Sequence, residues 1–570
     1  MSLTSILVSA GAGLTTAQYQ MAVSQTNVAN ADTAGYSRKT VAATATTTTL
    51  AVSSATVTRA ADAYLGKTVD KTAAANGRDA VIDTYLQAYD ASLGSVGGGD
   101  DISSLLTTFQ TALTNLAASS TASTKAATVS AASGLASSIR ALSGEIQSLR
   151  TQANSDIADT VDTINATLST LKTLNDQIVS TTASGGDTSD LLDQRAAAVT
   201  TLSSLVGVTT YTTSDNRVMV YTTAGQQLLG TAAATLSYDA SSALSASATY
   251  PGSISGITVN GQDITTSITT GKLGGLIALR DDTLVDEQAG LDQLAASLIA
   301  QVNAAANTGS SSPAASSLTS ASTVSGSDAF SASGSLRVAV TDSSGKVTAT
   351  EGLDLSAYAT IDDLVTGLNT VGGLNATITD GKLVIATTSP NGVALGDIDT
   401  SISGQGFSNW FGFNNVFSGS SASDIAVSSS LAADSSTFPT ARLDTAGTLG
   451  VGDVAIASGA STTADAISAA LSADMSFTSA GGLAAGKSSL INRAAGFVSA
   501  AATLVSNAAT QATTSSDAYT SATTRLSNLT AVNLDEELAQ LEIYQQAYQA
   551  NAQLVSMVRD LFDALMSMVS

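Results

Sequence analysis

Apolar residues at the start of the chain fall in alternating steps of four and three. Leu3, Leu7, Ala10, Leu14, Ala17, Met21, Ser24 and Val28 occupy the two inward positions of a heptad, the spacing of a coiled-coil seam. Asn27, Asn30, Asp32 and Gly35 then supply a stop. The other end repeats the rhythm through Leu541, Tyr544, Tyr548, Asn551, Val555, Val558, Phe562, Leu565 and Val569, and Asn533 with Glu536 is placed to cap that helix. Asp32 is the first charged side chain, and no charge lies between Ile543 and Val558. A surface helix is polar on its solvent face. These two are not, so the pattern predicts helices buried all round, packed on their own domain or on other copies of the chain. Too little chain surrounds either terminus to bury it alone, which favours other copies.

Between the ends the pattern changes twice. Residues 36–60 are Thr-rich and extended. Helical spacing runs over 62–93, over 102–118 behind a cap at Asp101, over 123–180 and over 190–205. Strand-like alternation dominates 207–270, where a DN turn separates two alternating runs. Helix returns at 273–303. A Ser/Ala-rich linker is expected over 306–330, short strands and helices over 331–480, and a final helix over 483–531. Helical ends around a β-rich middle imply nested domains, with the chain running out and coming back. On this reading 331–480 is an insert whose ends both return to the helical body.

Composition narrows the function. The 570 residues carry 46 acids against 22 bases, a net charge of −24, which disfavours nucleic acid and anionic membranes as partners. The first residues, MSLTSILVSAGAG, have no basic residue before their apolar patch, so neither a signal peptide nor membrane insertion is expected. There is no cysteine and no histidine, which removes disulfides, thiolate nucleophiles, the usual zinc ligands and the residue best suited to proton transfer near neutral pH. No cofactor, metal or catalytic residue is assigned. Asp281–Asp282 and Asp362–Asp363 are adjacent acids of the kind glycosidases use, but Asp362–Asp363 sits where a helix begins and reads as a cap. Asp193–Gln194–Arg195 reads as a surface or inter-helix group, Trp410 as a core anchor, and Tyr544 and Tyr548 as seam residues.

Two terminal stretches carry a resemblance. NVANADTAGYSRKT (Asn27, Asn30, Gly35, Tyr36, Ser37 and Arg38 foremost) looks like the motif after the first helix of the bacterial flagellar rod, hook and hook-associated proteins. VNLDEELAQLEIYQQAYQANAQLVSMVRDLFDAL is similar to the C-terminal motif of the same axial class. DLLDQRAAAVTTLSSLVGV and GKLGGLIALRDDTLVDEQAGLDQLAASLIAQVNAAANTG resemble the flagellar hook-associated protein 1 family, whose members form the hook–filament junction. The chain departs from the axial motif at Ala34, where proline is frequent, and TIDDLVTGLNTVGGLNATITDGKLVIATT resembles a β insert of flagellins.

The resemblance implies a structural, non-enzymatic subunit. Such a subunit is exported unfolded by the flagellar type III system and placed outside the cell. It assembles with itself, with hook protein and with other hook-associated proteins, and it offers its C-terminal helix to an export chaperone. A flagellin-like or hook-like axial subunit is the alternative, and a secreted adhesin a more distant one. The expected fold is multidomain α+β. A terminal helical domain (1–60 and 532–570) forms the assembly interface, with Leu3, Leu7, Leu14, Met21, Val28, Leu541, Tyr544, Tyr548, Val555, Val558, Phe562 and Leu565 on its seam. A helical bundle comprises 61–206, 271–305 and 483–531. Residues 207–270 form a small β domain, and 306–482 an outer β-rich domain.

Overall fold

The computed structural model describes residues 2–45, 52–94, 98–387, 390–445 and 449–569. The loop GSVGGGDD, residues 94–101, lies partly outside the described residues. Helix α1 (Leu3–Ala29) starts on Ser2, whose side chain accepts the Ser5 amide, and ends at Asn30. A turn at Gly35, with φ of 79°, leads into the antiparallel hairpin β1 (Lys39–Ala45) and β2 (Val52–Arg59). Helices α2 (Ala63–Leu93), α3 (Ile102–Ala118), α4 (Ala122–Ala183) and α5 (Ser189–Leu205) follow, and Asp101 caps α3 by accepting the Ser104 amide.

Strands β3 (Val208–Thr212), β4 (Val218–Thr222) and β5 (Gln227–Leu229) form one small sheet. A second consists of β6 (Leu236–Ser237), β7 (Thr258–Val259) and β8 (Gln262–Asp263). The helix expected over 273–303 is two helices, α6 (Gly271–Ala278) and α7 (Leu284–Ala306), separated by a π-helical turn over Leu279–Thr283. The fully buried Arg280 sits in that turn, paired with Asp281 and donating to the Tyr238 hydroxyl.

Residues 306–330 are not a linker. Ser317–Thr323 is a strand, β9, which pairs with β13 (Lys382–Thr387), and Phe330 is buried in the adjoining core. Its burial alternates through Leu318 and Ser320, so a period-two strand is carried by residues too small and polar to stand out in composition. The core formed there joins β10 (Ser335–Thr341), β11 (Val347–Asp354), α8 (Ile361–Leu368), β12 (Leu374–Thr379), β13, β14 (Gly392–Asp397) and α9 (Phe407–Phe411). Asp363 and Thr360 form a reciprocal capping box on α8, the role anticipated for that acid pair. Trp410 packs edge-on against Phe411 with ring centroids 4.7 Å apart, as a core anchor does.

Beyond this core lie β15 (Phe417–Ser418), β16 (Ala426–Val427), α10 (Ser429–Ala433), α11 (Thr462–Ser472), β17 (Met475–Phe477) and β18 (Gly486–Ser488). The chain closes with α12 (Leu490–Thr530) and α13 (Leu534–Val569).

The stretch 331–480 is not a clean insert. Phe417 meets Phe109 of α3 edge-on at 5.8 Å, Asn303 of α7 holds the backbone of Val416 and Phe417, and α11 packs on both α3 and α7.

The chain forms two compact units. One comprises Met1–Tyr85, Thr151–Asp281 and Asn507–Ser570; the other comprises Leu86–Arg150 and Asp282–Ser506. In the first, α4 contributes Ala153, Ile157, Val161, Ile164, Leu168, Leu171, Leu174 and Ile178 as one buried stripe. Beside it Asn165 bonds both backbone groups of Leu236, and Asn175 both of Val218.

Candidate assembly interface

Within the first unit α1 and α13 lie side by side. The close approach is made by small residues: Ala10, Ala17 and Ser24, seven apart, are buried, and a Cβ on Gly13 would come within 2.8 Å of the Asn551 side chain. Near the base, the hydroxyl of Ser24 donates to the carboxylate of Glu537 at 2.6 Å. Glu537, 3% exposed, also accepts from Arg38 Nε at 2.8 Å. A buried carboxylate with a charged partner and a hydroxyl donor has its desolvation offset. Asn533 caps α13 through the Asp535 amide, as expected.

The large residues of the seam are less covered. Leu3, Leu7, Leu14, Met21 and Val28 are half-buried, as are Leu541, Tyr544, Tyr548 and Val555. Val558 is buried, whereas Phe562 is 37% and Leu565 52% exposed. Ile543, Leu554, Met557, Leu561, Met566 and Met568 are exposed as well, so α13 presents a long apolar surface with no cover from this chain. Among the described residues no helix is long and apolar enough to cross a membrane.

The motif after α1 is a compact hydrogen-bonded corner. Asn27, fully buried, donates from Nδ2 to the Lys39 carbonyl at 2.8 Å and accepts the Lys39 amide at 3.0 Å and the Tyr36 hydroxyl at 2.9 Å. Asn30 bonds back to the Thr26 carbonyl and accepts from Thr33, closing the helix. Gly35 supplies the left-handed turn. The Ser37 amide donates to Asp193, and Arg38 reaches Glu536 and Glu537. Burial and the neighbouring Asp190, Asp193 and Glu537 carboxylates push the Tyr36 hydroxyl up to about 12.

Sequence reading did not identify the partners of this corner. Asp193 was expected on a surface or between helices, but Lys39 and Arg59, Asp190 and Asp193, and Glu537 come from three stretches far apart along the chain. Arg195 faces the other way, bonding Asn175 and the Asn216 carbonyl at the turn of the β3–β4 hairpin.

Residues 86–315 match the family model of the flagellar hook-associated protein FlgK helical domain. Residues 528–568 match that of the flagellar basal body rod FlgEFG protein C-terminal segment. No curated protein matches the chain. Among solved structures, the flagellar hook junction protein FlgK from Burkholderia pseudomallei is similar at 21% identity and a TM-score of 0.45, over 80% of this chain and 99% of that one. The chain thus resembles the FlgK-type hook-associated proteins of the bacterial flagellum in its interior and the flagellar rod proteins over residues 528–568.

Proposed function

We propose that this chain is a structural subunit of the junction between flagellar hook and filament. The observation that carries the reading is the pairing of α1 with a largely uncovered apolar α13, in a chain whose interior matches the FlgK helical domain. In the assembled tube the exposed residues of α13 are covered by neighbouring copies. Burying each such side chain contributes about 1.5–3 kcal/mol. The seam from Leu3 to Val28 and from Leu541 to Leu565 is the assembly interface, and its lack of charge between Ile543 and Val558 suits a packed wall where an unpaired charge costs several kcal/mol.

The division into a terminal helical domain, a helical bundle, a small β domain and an outer β-rich domain is part of this proposal. So are export of the unfolded chain to the cell exterior, contacts with hook protein and other hook-associated proteins, and chaperone capture of the C-terminal helix before assembly.

Labelling the protein on intact flagella tests the reading. A single band between hook and filament is expected. Label along the filament would favour a flagellin-like subunit, and label along the hook a hook-like one.

A further inference from the structure

Lys39 and Arg59 are directly opposed at the open end of the β1–β2 hairpin. Two cations placed so repel each other. Asp190 and Asp193, three residues apart and therefore on one face of α5, meet them. Lys39 Nζ donates to Asp190, Arg59 Nη1 donates to Asp193 Oδ1 at 2.6 Å, and Asp193 Oδ2 accepts the Ser37 amide at 3.1 Å. Lys39 and Asp193 are more than nine-tenths buried, while the Asp190 side chain is largely exposed. Every residue from Tyr36 to Lys39 is thereby engaged: Tyr36 on Asn27, Ser37 and Lys39 on α5, Arg38 on α13.

We infer that these two cations and two acids form a clasp that fastens the base of the α1–α13 pair to α5 in the unassembled chain. The clasp leaves the pair firm at its base and loose toward its tips. The base has polar contacts, Ser24 and Arg38 on Glu537, whereas apolar side chains are exposed along the whole pair, Leu538 at the base as well as Val8, Leu565 and Met568 toward the tips. A helix pair held at one end only frays from the other, because helical stability comes mainly from packing. The clasp assigns a partner to the DLLDQR segment, and it stands whether or not the junction reading does. A joining subunit would meet an ordered base from which the tips zip up.

Hydrogen exchange on the full chain, verified as monomer, tests this. In the native chain, amides at Ser24–Asn27 and Glu537–Leu541 should be protected, while those near Leu7 and Leu565 exchange almost as unstructured peptide. Asp193→Ala, which removes both acceptors, should speed exchange at the base by at least about tenfold, with Leu202 in α5 unchanged as the control. Asp193→Asn, which keeps an acceptor for the Ser37 amide, should do less, and Asp190→Asn, which leaves the buried Lys39 ammonium without its carboxylate, should also speed exchange at the base. Base amides as fast as the tips in the native chain, or unmoved by Asp193→Ala, would overturn the clasp. So would loss of protection at Leu202 in both Asp193 variants, since Asp193 would then hold the body rather than the base.

Discussion

One residue type is used in the same way five times. Asn27, Asn165, Asn175, Asn303 and Asn369 each give an N–H and an acceptor to both backbone groups of one extended residue: Lys39, Leu236, Val218, Phe417 and Ala376 respectively. At four of these the carboxamide completes the free edge of an edge strand, and at Val218 it serves the end of the central strand β4 that β5 does not reach, a need that follows from how costly unpaired buried backbone groups are. Asn175→Ala should therefore leave the Val218 amide and carbonyl without those partners and cost about 2–4 kcal/mol, read from chemical denaturation; a loss below 1 kcal/mol would mean that water replaces the amide. Tyr36 adds a pH dependence. Its folded pKa is raised above its ordinary value of 10.0, so its contribution is fully present below pH 10 and is lost as pH rises toward 12. Tyr36→Phe should remove that part of the alkaline loss of protection at the base, and an unchanged alkaline profile would contradict it.

At the scale of elements, periodicity was the dependable signal wherever helices were long. The ends of α1, α3 and α5 lie within a few residues of those expected, and the starts of α1 and α3 are marked by side-chain caps at Ser2 and Asp101. Two elements were harder to read. The π turn at Leu279–Thr283 carries the buried Arg280, whose partners Tyr238 and Asn154 are remote in sequence. Strand β9 is hidden in Ser and Thr, since its alternation appears only once Leu318 and Ser320 are seen to be buried. The seam itself was legible as a pattern, but not which of its members touch. Small residues take the contact between α1 and α13, and the large ones are left half-covered or exposed. This separates two substitutions four residues apart. Phe562→Asp should leave the melting temperature of purified chain nearly unchanged, as exposed substitutions do, while filament attachment is lost in cells. Val558→Asp, at a buried position, should lower both. Equal destabilisation by the two would mean that α13 packs wholly on its own unit.

For the whole molecule, the sequence indicated α+β architecture with helical ends, and the matches at 86–315 and 528–568 accord with the central and C-terminal segments that carried the flagellar resemblance, while residues 27–40 lie outside both. The fastening of 331–480 was not legible, because it depends on Phe109, Asn303 and α11 meeting across large separations. Deleting 331–480 should accordingly uncover α3 and α7 and make the remaining chain more sensitive to protease; resistance equal to that of the full chain would restore the clean-insert reading. Phe417→Ala probes the same attachment and should cost about 3–5 kcal/mol.

The central claim, that this chain joins hook to filament, is tested most directly by electron microscopy of cells that lack it. The account predicts complete hooks without filaments, filament subunit released into the medium, and recovery when the native chain is restored. Normal filaments on cells without the protein would contradict it.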